Sequence, residues 1–358
     1  MINAKFKSLL LGAALTTGLA ACSETAVEQN PEVTREATVQ WKMSSAYNST
    51  LPQLGSLAIR LSEQLETVSG GDIEISFYEP KALVPPLEAF EAVAMGSLEA
   101  AWSTPGYWAG KVPALQLYSA VPFGMKSDQY LAWFYFGGGK ELFDEIYHRY
   151  NVHSVMCGMI APEASGWFQK EITSPEDFNG LKIRFFGLGG KVVEKLGAST
   201  QLLAGGDIFP ALELGAIDGT EFAMPAIDIN LGFYQVAKHY YFPGWHQQST
   251  FFDLMINLDE WNKLNSTQKA QIEAVCGDSI RYSIAEGDSI QSDAIATLKE
   301  KGVNIHTWSP DILQALRTAW LEVAEEQSAL DPDFKRVYDS FVAFREKNAE
   351  WRDLGYLK

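Results

Sequence analysis

The first 200 residues of the mature region alternate two hydrophobic periods. Thr38 to Ser45 reads as a buried strand. Leu54, Leu57, Ala58, Leu61, Leu65 and Val68 then recur at helical spacing, and Gly70-Gly71 stops that helix. Ile73, Ile75 and Phe77 alternate with Asp72, Glu74 and Ser76, as a half-buried strand does. Pro86 opens a helix ending at Gly96, and Leu98 to Ser103 is a third strand. Such a βαβαβ run predicts a mainly parallel sheet.

A second unit begins near residue 151. Asn151–Cys157, Gly166–Gln169, Leu181–Phe186 and Asp218–Phe222 read as strands; Lys191–Leu196 and Asp207–Leu214 read as helices. Ser174-Pro175-Glu176-Asp177 is a capped single turn. From Ser266 to about Lys301 runs a helical pattern long enough to span two lobes, and Ser309-Pro310 and Asp331-Pro332 each start a further helix. The expectation is an α/β chain of two lobes joined by crossings near residues 160 and 245, with a ligand cleft between them. Residues 37–160 with about 246–285 form the first lobe, and 161–245 with about 286–358 the second.

The N-terminal segment changes the picture. Lys5 and Lys7 precede the apolar run Leu9–Ala21, which is too short for a membrane span and fits a signal peptide over 1–21. Leu19-Ala20-Ala21-Cys22 resembles a lipobox, in which Cys22 is lipidated; ordinary cleavage after Ala21 is the alternative. Residues 22–36 are polar and read as a tether, which makes the protein a membrane-anchored lipoprotein of the periplasm. Without 1–21, 26 basic residues face 45 acidic ones, a charge of −19. That charge argues against nucleic acid and anionic membrane surfaces as partners, leaving the lipid as the only membrane contact. It also means that an anionic ligand needs a local cation. Cys157 and Cys276 read as buried small apolar side chains rather than a disulfide framework.

Catalytic signatures are absent. Gly137-Gly138-Gly139-Lys140 has no strand before it and Glu141 where a phosphate loop needs Ser or Thr. In Gly187-Leu188-Gly189-Gly190-Lys191, Val192 stands where a dinucleotide fingerprint wants Gly. The five histidines form no His-Glu-x-x-His, and no cysteine pair has zinc spacing. For binding, Arg184 is the leading candidate: it ends a strand, where open α/β sheets face their ligand, and its guanidinium offers paired donors to a carboxylate. The competing reading is a strand arginine paired with a neighbouring acid. Of the many aromatics most must be core, with a minority lining a pocket.

Three runs carry a specific resemblance. Gly166-Trp167-Phe168-x-Lys170-Glu171-Ile172, Asp177-Phe178-x-Gly180-Leu181-Lys182-Ile183-Arg184 and Gly190-Lys191-Val192-x-Glu194-Lys195-Leu196-Gly197 resemble the solute receptor of tripartite ATP-independent periplasmic (TRAP) transporters. Gly205–Glu213, Ile217–Glu221 and Tyr240–Trp245 are similar to its branch for 2-oxo acids and related monocarboxylates, and the likeness runs from about 38 to 350. The resemblance implies a periplasmic-binding-protein-like fold, no enzymatic activity, and the integral membrane subunits of a TRAP transporter as partners. It makes Arg184 the carboxylate clamp, gives Glu221 and the Phe222 carbonyl to a metal, and puts Tyr107 and Trp108 over the ligand from the first lobe. Glu163 stands where that branch has Gln, and Gln247 where it has Glu, an exchange that keeps the charge of the site. Glu163, Glu221, Gln247 and the Phe222 carbonyl are therefore expected to hold Na⁺ or Ca²⁺, with Glu163 also near the ligand. Phe222 replaces a Trp, which enlarges the pocket. Some members of the branch dimerise through a long C-terminal helix; this chain ends about where that helix would start, so a monomer is expected. The expected ligand is a small 2-oxo or 2-hydroxy monocarboxylate. The alternatives are a neutral solute such as a sugar, leaving Arg184 structural, or a periplasmic enzyme.

Overall fold

A computed structural model describes residues 37–160 and 162–355, so the expected signal peptide, the expected tether and Cys22 lie outside the described residues. Eleven strands occur among them: β1 Val39–Ser45, β2 Ile73–Tyr78, β3 Ala100–Ser103, β4 Val152–Ile160, β5 Gly166–Phe168, β6 Lys182–Arg184, β7 Ser199–Gln201, β8 Gly219–Thr220, β9 His239–Phe242, β10 Thr250–Asn257 and β11 Asn304–Thr307. They form two sheets, ordered β2-β1-β3-β10-β4 and β11-β9-β5-β8-β6-β7. Helices pack on both, giving the two-lobed α/β architecture.

Local sequence explains the elements. In β1 and β2 every second residue is buried at the start, as on a sheet with one wet face. β10 lies between two neighbours and is buried throughout. The helix Gly55–Ser69 buries Leu57, Ala58, Leu61 and Leu65 and ends on Gly70 at φ 64°, a left-handed position that favours glycine. Asn265 caps the 35-residue helix Ser266–Glu300 by accepting from the Gln268 N–H. Ser309 and Asp331 cap the next two helices in the same way.

The sheets are mixed rather than simply parallel. β10 runs antiparallel to β3 and β4, and β5 runs antiparallel to β8 and β9. Each reversed strand is the one entered straight after a crossing between sheets, at residues 162–165 and 243–249. This reversal places the site. In one sheet the ends of β1, β3 and β4 lie at the same side as the beginning of β10, and in the other the ends of β6 and β8 lie with the beginning of β5; residues just outside these strand ends line one cavity.

The long helix spans both lobes. Its first half packs on β4 and Gly55–Ser69, where the Met159 N–H donates to Ser283 Oγ at 3.0 Å. Further along it meets Pro225–Leu231, where Gln291 Oε1 accepts from the Ala226 N–H at 3.0 Å.

Three expectations need correction. Cys157 and Cys276 are joined in a disulfide that ties β4 to the long helix; sequence distance hid the pairing because helix and strand meet only in the fold. The second lobe does not keep the whole C-terminal region. The helix Pro332–Lys347 packs on the helices at 113–118, 127–136 and 139–148 of the first, and Phe341 meets Tyr130 and Trp133. The expected strands 181–186 and 218–222 stop early, at Arg184 and Thr220, and the last residue of each expected strand, Phe186 and Phe222, lines the cavity instead.

Candidate functional site

Parallel pairing of β6 with β8 sets Arg184 opposite Thr220, so Glu221 emerges beside the guanidinium. Arg184 Nη1 donates to the Glu221 carbonyl and to Glu221 Oε1, both at 2.7 Å, and Nε donates to the Leu203 carbonyl at 3.2 Å. Arg184 is 1% exposed. The expected paired donation is therefore partly spent within the protein. Among the described residues Nη2 makes no hydrogen bond, and Arg184 lines a cavity.

The two crossings supply the remaining polar groups. They run side by side: the Gly244 N–H donates to the Glu163 carbonyl at 2.9 Å and the Glu163 N–H to the Gln247 carbonyl at 3.3 Å. Gly244 is required here, since a Cβ would lie 2.2 Å from that Glu163 oxygen. This pairing brings Glu163, His246 and Gln247 together although more than 80 residues separate them in sequence. His246 Nε2 sits 3.5 Å from both Glu163 Oε2 and Glu221 Oε2. Candidate donor atoms of Glu163, Glu221 and His246 all lie within 4.8 Å of one another.

Burial controls the charges. It raises the Glu163 carboxyl to about 8, against the opposing pull of His246. Burial acts the same way on Glu221, but Arg184 first and then His246 outweigh it and hold that carboxyl below the ordinary range. His246 is disfavoured as a cation by burial, yet Glu163 and Glu221 raise it to about 9. Glu163 Oε2, Glu221 Oε2, both His246 ring nitrogens and Gln247 Oε1 are buried without a hydrogen-bond partner. Orphaned buried polar atoms are costly and demand an explanation. Two carboxylates and an amide oxygen form a donor set that fits a hard cation, and the neighbouring His246, held protonated, balances their charge when none is bound.

Glu163 and Gln247 line a cavity of about 330 Å³ together with Arg184, Tyr47, Thr104, Tyr107, Phe222, Thr250 and Phe252; Glu221 and His246 are not part of its wall. Tyr107, expected over the ligand, lines this cavity; burial pushes its hydroxyl up, against the opposing pull of Arg184. Trp108 does not line it. Consecutive residues of the tight turn Pro105–Trp108 point apart, and the Trp108 ring packs into the core 5.5 Å from Phe90. The half-buried Phe222 ring lies 5.3 Å from the Arg184 guanidinium. His246 and Tyr47 were missed. His246 stands between Trp245 and Gln247 and was findable as the neighbour of an expected ligand; Tyr47 follows β1 at the edge where all site residues gather.

A charged, buried cavity at the junction of two α/β sheets joined by paired crossings defines a binding protein that encloses its solute. Residues 43–330 match the family "Bacterial extracellular solute-binding protein, family 7". The chain is 32% identical to the monocarboxylate 2-oxoacid-binding periplasmic protein of a Nostoc species, over 96% of this chain and 94% of that one. A TRAP transporter solute-binding protein from Bordetella bronchiseptica, a dimer with calcium and picolinate in its active site, superposes with TM-score 0.86 at 34% identity, covering 88% and 94% of the two chains. One from Pseudoalteromonas atlantica with bound sodium and pyruvate gives TM-score 0.84 at 27% identity, covering 88% and 96%. The chain belongs to this family and is an extracytoplasmic solute receptor of the TRAP type, a transport protein rather than an enzyme.

Proposed function

We propose that the receptor captures a small 2-oxo or 2-hydroxy monocarboxylate together with Na⁺ or Ca²⁺ and presents it to the membrane subunits of a TRAP transporter. The observation that carries this reading is the pair of orphaned oxygens, Glu163 Oε2 and Gln247 Oε1, on residues lining a cavity that Arg184 also lines, with the equally orphaned Glu221 Oε2 and His246 close by. Arg184 supplies a permanent positive charge and Nη2 to the ligand carboxylate. Glu163, Glu221, Gln247 and the Phe222 carbonyl would hold the cation. Bound there, it offers positive charge to the ligand's second oxygen and removes the cost of two buried carboxylates side by side. The relatives with sodium and pyruvate or calcium and picolinate support the pairing of a cation with a carboxylate.

Titration calorimetry with pyruvate tests the reading. Arg184→Lys keeps the charge that Glu221 needs and loses the planar fork; affinity should fall roughly thirty-fold or more. Chelation with EDTA in Na⁺-free buffer should weaken binding comparably. Binding indifferent to both would favour a neutral solute. Anchoring through Cys22 and a monomeric state complete the proposal; mass spectrometry of the mature N-terminus and light scattering check them.

A further inference from the structure

A second, larger space adjoins the ligand cavity. It holds about 950 Å³ and is lined by Ala46, Leu51, Pro80, Ala204 and Leu231 among others, with Lys81 at its edge. Lys81 comes from just after β2 and pairs with Asp207 of the second lobe at 2.8 Å, so this space lies between the lobes. Only two residues, Tyr47 and Phe222, line both spaces. They form the partition.

Their freedom differs. Tyr47 is 5% exposed and held edge-on to Phe252, with ring centroids 5.6 Å apart. Phe222 is half-buried; its ring lies over Arg184 on one side and reaches the backbone at Gly205, where a Cβ would sit 2.9 Å from the ring tip. The close approach is possible because residue 205 lacks a side chain. Phe222 thus stands between the charged anchor and an outer space with a substantial apolar lining.

From this arrangement we infer that Phe222 sets the chain-length limit of the ligand, and that the outer space is a latent subsite for the aliphatic tail of a longer 2-oxo acid. This rests on the carboxylate reading above. A tail growing from a carboxylate held at Arg184 meets the Phe222 ring first. Removing the ring joins the two spaces, and each methylene then buried should strengthen binding roughly four-fold.

The test measures affinities for pyruvate, 2-oxobutanoate, 2-oxohexanoate and 2-oxooctanoate by calorimetry, with Na⁺ and Ca²⁺ present. The readout is the ratio of 2-oxohexanoate to pyruvate affinity, which cancels any general weakening of the site. Phe222→Ala should raise that ratio at least ten-fold, Phe222→Leu less, and Phe222→Trp should lower it. Should the alanine variant fail to fold by circular dichroism, the Leu and Trp variants carry the same trend from opposite sides. An unchanged ratio in variants that still bind pyruvate overturns the gate and leaves the carboxylate reading standing. Wild-type protein that binds none of the series overturns both.

Discussion

The two faces of the ligand cavity are built on opposite principles. The face from the second lobe and the crossings carries Arg184, Glu163 and Gln247, backed by Glu221 and His246, all buried and most ionisable. The face from the first lobe offers Tyr47, Thr104, Tyr107, Thr250 and Phe252, which are hydroxyl groups and rings without formal charge. One face therefore recognises charge, and the other recognises shape and excludes water. A receptor with net charge −17 over the whole chain gains from this division, because the cation that attracts its anion is confined to one desolvated spot. The ligand can be anchored on the charged face and then covered by the neutral one.

Breaking the charged face should have the largest effect. Glu221→Ala leaves Arg184 buried without its partner, and loss of one member of a buried pair costs about 3–5 kcal/mol. The melting temperature should drop by several degrees and pyruvate binding should vanish; a variant as stable as the parent would show that the Arg184–Glu221 pair is not the centre of this face.

The disulfide tests whether the neutral lobe is rigid on its own account. Cys157–Cys276 closes a loop of 119 residues and ties β4 to the long helix, whereas the contact of that helix with the second lobe has no covalent tie. Replacing both cysteines with alanine should cost about 2–4 kcal/mol in denaturant unfolding. Pyruvate affinity should change little, since neither cysteine lines the cavity. A large loss of affinity would mean that the neutral face depends on this tether for its shape.

The same contrast explains what the sequence could tell. Strand and helix positions were legible because burial periodicity is local; Arg184 was a candidate from its place at a strand end, but only the resemblance favoured a carboxylate clamp over a strand arginine paired with an acid, and the structure shows such a pairing with Glu221 as well. The resemblance to TRAP receptors added Glu163, Glu221 and Gln247, which the residues alone would not have singled out. What stayed hidden depends on pairing between distant segments. His246 meets Glu163 only because residues 162–165 and 243–249 run together, and Cys157 meets Cys276 only across the helix–strand interface. Trp108 was misplaced for a different reason: adjacent residues in a tight turn face different ways, and composition cannot tell which of two aromatics turns inward.

Tyr107 gives a smaller test of the neutral face. Its hydroxyl is the polar group there that feels Arg184 directly. Tyr107→Phe keeps the ring and removes one donor, so affinity should fall by about ten-fold or less. A loss as large as that of Arg184→Lys would make the first lobe a charge-reading face after all.

The smallest effect concerns the one acid buried within the first lobe's sheet. Asp253 on β10 accepts hydrogen bonds from Tyr147 Oη at 2.7 Å and Ser154 Oγ at 2.8 Å, while its other oxygen has no partner. Burial raises its carboxyl to about 6, against the pull of those two donors. The folded protein therefore holds a proton at Asp253 more tightly than the unfolded chain, whose aspartates titrate near 4. Between those values the native state binds more protons, so this group's contribution to stability falls as pH rises from about 4 to 6 and is level above. That sign is opposite to Glu221, whose lowered carboxyl favours the fold once ionised and loses that benefit in acid. Asp253→Asn should make the decline between pH 4 and 6 in the melting profile of the ligand-free protein shallower, the rest of it belonging to Glu163 and Asp228, while leaving pyruvate affinity at pH 7 in place. A profile identical to the parent would mean that Asp253 is ionised throughout, and that the neutral lobe carries a buried charge of its own.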